Sequence, residues 1–346
     1  MKKLLGTLRA QGQFCRGSGS PMYGDLCELV AADVEDGGVF ATILSGHEED
    51  SGRHAVPLRL LGGLHRLVLD GRAPALRRWY PSTGGTWDAP SAWPQITAAA
   101  TSHTEALRAA LGHPPQTNEV GRAAALIGGL LRINHVFGFP IRLFEIGSSA
   151  GLNLRADHYR YSHAGGEWGP VDSPVTIHNA WRGPLPPAAA LRITERHGYD
   201  IAPIDVTHSD GELTVLSYVW PDQEARLDRL RGAIAVARNV PVRLVRQSAA
   251  DAVAGLTLTD GALTVLWHSI TWQYLSAGER EAIGAGVNAL GAQADPRSPF
   301  AHLTLEPARD GSDPRFLVRA RRWPGGELEI LAECHPHGPP VNWQSS

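Results

Sequence analysis

The chain has 346 residues, 43% of them hydrophobic, enough to bury the core of one large domain or two ordinary ones. Its formal net charge of -3, from 32 basic and 35 acidic residues, offers no basic footprint for a phosphate backbone, so nucleic acid is not expected as a partner. Cys15, Cys27 and Cys334 stand in no metal-type or disulfide-type spacing; with no signal-peptide pattern and no apolar run of about 18 residues, a reducing cytoplasm away from membranes is expected.

Residues 1–135 read as a helical N-terminal domain. Apolar positions recur at helical spacing from Leu4 to Ala32, broken by the small-residue turn at 17–21, then from Leu58 to Leu69, and again from near Ala92 after the Pro and Gly breaks of residues 80–85. After Pro140 short apolar runs alternate with helical segments, the mark of a parallel sheet with crossover helices. The spacing predicts strands at 142–146, 191–194, 242–246, 263–267 and 302–305, and a closing pair at 315–322 and 328–333. Helices are predicted at 223–238 and 277–291. Residues 136–346 therefore suggest a Rossmann-like α/β domain of the class I methyltransferase type, seven-stranded with an antiparallel last strand.

The turn after the first predicted strand, RLFEIGSSAGLNL (142–154), places Glu145, Gly147, Ser149 and Gly151 where such a fold has an acid followed by small residues. In a doubly wound sheet this is where an adenosyl or dinucleotide cofactor approaches the backbone. On this reading the cofactor is S-adenosylmethionine, with Glu145 accepting from its amino group. Glu195 then takes the ribose hydroxyls and Asp251 the adenine amino group. The plainer reading is that Gly147 and Gly151 supply positive φ and close helix–sheet packing. Glu195 follows Gly147 by far more than the roughly 20 residues of a dinucleotide fingerprint, so Tyr159 to Trp181 reads as an insertion, a hairpin with a long loop.

Other candidate residues lie at helix and strand ends. The stretch TNEVGR (117–122) opens a helix that Thr117 or Asn118 can cap, with Glu119 in its first turn. Asn118, Glu119 and Arg122 can together face one cleft and hold an amino-acid-like small molecule, Arg122 on its carboxylate and Glu119 on its ammonium or as base. His268, after the fourth predicted strand, can serve as general base or as a local hydrogen-bond partner. Asp222, in WPDQ (220–223), reads as a helix cap that can also face a pocket. Asp200 and Asp205 are expected in an exposed loop. The closing HPH (335–337) lacks partners at zinc-like spacing, so no metal is expected.

The segments LRLLGGLHRLVL (58–69), QTNEVGRAAAL (116–126), LFEIGSSAGLNL (143–154), LSYVWPDQ (216–223), LWHSITWQYL (266–275) and HPHG (335–338) together resemble the bacterial family DUF2332. That resemblance implies a methyltransferase-like C-terminal half and a cytoplasmic small-molecule enzyme, without a stated reaction. Three functions remain in view: methyl transfer with Glu119 or His268 as base, a cofactor-independent reaction such as a ring-closing intramolecular displacement, and small-molecule binding without chemistry.

Overall fold

The computed structural model describes residues 2–50, 54–309 and 314–345. Two compact units emerge. One comprises Met1–Thr117 with His208–Asp228, the other Asn118–Thr207 with Arg229–Ser346. The helical unit thus ends earlier than residue 135, and it recruits a second segment from the middle of the chain. That recruitment has a local cause. His65 is fully buried on the helix Val56–Leu69, with Nδ1 on Ser217 O (3.1 Å) and Nε2 on Ser82 Oγ (2.8 Å). Arg66 pairs with Asp210 and donates to Thr214 Oγ1, and a Cβ on Gly62 would lie 2.7 Å from the Tyr218 ring. The motifs at 58–69 and 216–223 are therefore two sides of one packed contact.

Within the same unit, apolar stripes at three- and four-residue spacing place Leu4 and Leu8, Met22, Leu26 and Val30, and Leu60, Leu64 and Leu67 in a shared core. Helix Pro21–Glu35 starts on a proline at its first position and is capped by Ser20, whose Oγ accepts from Tyr23 N. Asp222 completes this cap. Its Oδ1 accepts from Ser20 Oγ at 2.6 Å and its Oδ2 from Met22 N at 3.0 Å. Asp222 thus caps a helix two hundred residues upstream, and both of its oxygens are spent there. Asp222→Ala is expected to lower the stability of the helical unit by about 1–2 kcal/mol, read by urea unfolding; a loss of activity without that loss of stability would return Asp222 to the chemistry.

The second unit is built on a mixed sheet. Its strands, with those of a small companion sheet, are β1 (Ile141–Ile146), β2 (Arg160–His163), β3 (Gly166–Trp168), β4 (Thr176–Ile177), β5 (Trp181–Arg182), β6 (Ile193–Asp200), β7 (Arg243–Arg246), β8 (Leu263–Ser269), β9 (Phe300–Arg309), β10 (Pro314–Trp323), β11 (Leu328–His335) and β12 (Gly338–Trp343). The large sheet has nine strands in the order β5-β12-β11-β10-β9-β8-β1-β6-β7, and the small one runs β3-β2-β4. The block β7-β6-β1-β8-β9 is parallel throughout. Chain order reverses at β1, which defines a switch point between β1 and β8.

Seven strands with one antiparallel end do not describe this sheet. After β9 the chain turns back three times, so β10, β11 and β12 form an antiparallel meander, and β5 closes the edge parallel to β12. The missed β12 reads GPPVNW, where two prolines hide a strand that keeps its ladder at Val341, Asn342 and Trp343. The predicted insertion hairpin is β2 and β3, with β4 joining β2 in parallel.

Helix Ala123–Phe137 covers one face of the sheet, its paired glycines letting Gly128 meet the Trp343 ring and Gly129 meet Leu303. Helices Ala249–Ala254 and Ala277–Gln293 cover the other, over Phe144, Ile146, Leu266 and Phe300. Among the described residues no helix is long and apolar enough to cross a membrane.

Candidate active site

Strands β1 and β8 are buried almost end to end, as expected for the centre of a parallel sheet covered on both faces. Their carboxyl ends carry backbone that ordinary residues avoid. Ser149 (φ 51°) and Ile270 (φ 53°) are both left-handed, as are Gly147 (66°) and Gly151 (63°). Left-handed non-glycine residues are held only by surrounding structure and gather at functional sites. Ser149 adopts a conformation that glycine reaches without strain.

The turn 147–152 is tied down by the chain itself. Ser148 N donates to Tyr199 O (3.2 Å), Ser149 N to Asp200 Oδ2 (2.8 Å), Gly151 N to Ser148 O (2.7 Å) and Leu152 N to Asn118 Oδ1 (2.8 Å). A Cβ on Gly147 would stand 2.4 Å from Thr271 Oγ1, and one on Gly151 would stand 2.8 Å from Leu244. The glycines thus admit protein side chains, the plainer of the two readings made from the sequence.

The acids do not stand where the sequence put them. Glu145 points beneath the turn, 2% exposed, and burial pushes its carboxyl up to about 8. Trp267 and Arg122, with Asn153, oppose the shift and Asp200 adds to it. Trp267 lies close enough to favour the anion without completing a hydrogen bond, since Glu145 Oε2, Trp267 Nε1 and Asn153 Oδ1 all lack partners. Glu195 lies inside β6, in register with Arg142 near the start of β1, and pairs with it at 2.9 Å. That is the amino end of the strands. Asp251 is exposed and closes a cap with Ser248 at the start of its helix. The acid that does end β6 is Asp200, accepting from Ser149 N and Ala202 N. These positions do not fit an adenosyl cofactor held through an ionised Glu145, Glu195 and Asp251.

The sequence missed Asp200 because it ended this strand at the first charges. Glu195, Arg196 and His197 look like loop residues, yet Arg196 forms a two-pronged pair with Asp157 (2.7 Å on both oxygens) and Glu195 pairs with Arg142. Paired charges can line a half-buried strand.

Of the TNEVGR group, Glu119 itself is the cap, accepting from Gly121 N at 3.0 Å, and it precedes a short turn, Val120–Arg122, before the helix. Asn118 caps the β1 turn through Leu152 N rather than its own helix. Arg122 donates from Nε to Pro336 O (2.9 Å) and from a terminal nitrogen to Ser269 O at 3.4 Å, bracing the end of β8. Gly121 and Gly338 interlock: a Cβ on either would meet backbone of the other's segment at 2.3 Å. The motifs at 116–126 and 335–338 are therefore one joint.

His268 lies elsewhere. Side chains alternate along a strand, so Glu145 and Trp267 face helix Ala123–Phe137, whereas His268, His302 and Glu306 share the opposite face with Leu266 and Phe300. Glu306 Oε1 accepts from His268 Nδ1 (2.7 Å), Thr271 N (2.9 Å) and Trp272 N (3.2 Å). The left-handed Ile270 turns those two amides back onto it. His268 Nε2 contacts His302 Nε2 at 3.1 Å, and Trp272 stacks on His268 at 5.3 Å and 12°. Burial, then the neighbouring His268 and Arg321, hold His302 well below the usual imidazole range. Sequence reasoning found His268 but neither partner, because both lie within β9, where no motif marks them.

Fold and site together define a doubly wound α/β protein with a helical unit and a carboxylate–imidazole chain shared by β8 and β9. The chain belongs to the family described as uncharacterized protein conserved in bacteria (DUF2332), whose model matches residues 6–343. No curated protein and no solved structure matches it.

Proposed function

We propose that this protein is a small-molecule enzyme whose chemistry is proton transfer through the His268–Glu306 unit, of the kind a ring-closing intramolecular displacement requires. The supporting observation is the Glu306–His268–His302 chain, in which buried His268 near the end of β8 meets Glu306 and His302 within β9. A carboxylate that holds one imidazole nitrogen fixes the tautomer and stabilises the imidazolium formed when a proton arrives. In such a displacement the substrate's nucleophilic atom loses its proton to the imidazole chain and uses its electron pair to form the new bond, while the leaving group departs with its own pair.

A second reading, methyl transfer from S-adenosylmethionine to a small acceptor, retains the strand order β7-β6-β1-β8-β9 and the acid Asp200 ending β6 in its favour. The two are separated by incubating the protein with a small-molecule extract of bacterial cells, with and without added S-adenosylmethionine, and following products by mass spectrometry. A product formed without the cofactor and lost in His268→Asn is expected. A product that requires the cofactor would transfer the case to methyl transfer. Ligand retention with no product under either condition would make the protein a binding module.

A further inference from the structure

His268 is 2% exposed, and both of its ring nitrogens are engaged, Nδ1 by Glu306 and Nε2 by His302. No substrate atom can reach either nitrogen while these contacts stand. His302, by contrast, is only partly buried. We propose that His302 is the port of this chain: it takes the substrate's proton at Nδ1 and passes its own Nε2 proton to His268. The inference rests on the acid–base reading above and assigns the contact residue within it.

The proton inventory balances. With His268 neutral and its Nδ1–H donated to Glu306, its Nε2 carries the lone pair. His302 must then donate Nε2–H across the 3.1 Å contact, which leaves the His302 lone pair on Nδ1. A proton arriving there, with the Nε2 proton moving on to His268, leaves His302 neutral in its other tautomer and His268 as an imidazolium against the Glu306 carboxylate. The bond broken is the substrate's bond to hydrogen, and its electron pair stays on the substrate. Charge thus rests on the imidazole that has a carboxylate partner. His302 faces His268 from β8 and Arg321, its register partner on β10. Both disfavour a lasting charge on it, which agrees with a group that passes protons on.

Nitrogen-15 NMR of the imidazoles in the intact protein tests this without a substrate. At neutral pH His302 should appear as the neutral Nε2–H form, with its lone pair on Nδ1. In His302→Gln, whose amide still donates to His268 Nε2 but cannot relay protons, solvent exchange of the His268 ring proton should slow at least about tenfold, and turnover of any product found in the extract should fall about 100-fold or more. A His302 found with its proton on Nδ1 at neutral pH, or unchanged His268 exchange in the variant, would overturn the port. The relay can fail in this way while the extract still yields a product, so failure of the port and failure of the acid–base reading remain distinct.

Discussion

Glu145→Gln is expected to stabilise the sheet unit at pH 8 by on the order of 4 kcal/mol and to leave it nearly unchanged at pH 4. Burial raises the Glu145 carboxyl from its ordinary 4.5 to about 8, so between those values the folded protein keeps a proton that the unfolded chain has released. The folded state binds more protons over that window, and stability must fall as pH rises through it. Glutamine has nearly the same shape and no charge to desolvate, and its amide can donate to Asn153 Oδ1 and accept from Trp267 Nε1, both now without partners. His302 works in the opposite direction: its imidazole is held neutral, so stability falls as pH drops below about 6.5. That contribution is common to both proteins and cancels in their difference. Urea unfolding followed by tryptophan fluorescence at several pH values measures it. Equal pH dependence in the two proteins would mean that Glu145 ionises at its ordinary value, and the account of the β1 turn would fall with it.

Glu306→Ala is expected to cost about 3–5 kcal/mol, since it leaves three buried donors without their acceptor at about 1–3 kcal/mol each. One oxygen, Oε1, satisfies His268 Nδ1, Thr271 N and Trp272 N, and the residue is 5% exposed, so alanine leaves three donors facing a dry gap. The two amides matter as much as the imidazole, because they hold the left-handed Ile270 in place. Glu306→Gln retains an acceptor for them and should cost less while removing the charge that steadies an imidazolium. Denaturant unfolding gives the first quantity, and the chemical shift of the His268 ring proton gives the second. Wild-type stability in Glu306→Ala would show that the β8 turn stands without this carboxylate.

How much of this was legible in the residues depends on where each signal is stored. Strands β1, β7, β8, β10 and β11 were readable because apolar runs between turn residues describe a buried strand directly. The glycine turn after β1 was readable too, since glycine enters left-handed backbone without strain. Strand β6 was misjudged because its charges are neutralised by Arg142 and Asp157, partners that adjoin it only after folding. The same blindness hid Glu306 and His302, whose chemistry lies in their distance from His268 rather than in any local pattern.

The motifs tell a similar story. Four of the six stretches that marked the family pack in pairs: residues 58–69 seat 216–223 through Gly62, Tyr218 and His65, and residues 118–122 lock into 335–338 through Gly121 and Gly338. Nothing in one stretch announces its partner. By itself the sequence determined an α/β chain with helices first, a parallel core after Pro140 and a glycine turn following Glu145, because periodicity and glycine placement act over a few residues. Only the tertiary structure decided that Asp222 is a cap, that Glu195 and Asp200 exchange places as the strand-end acid, and that His268 is wired to Glu306 and His302. Charge pairing and hydrogen bonding depend on separations of about 3 Å, and such separations between residues far apart in sequence exist only once the chain has folded.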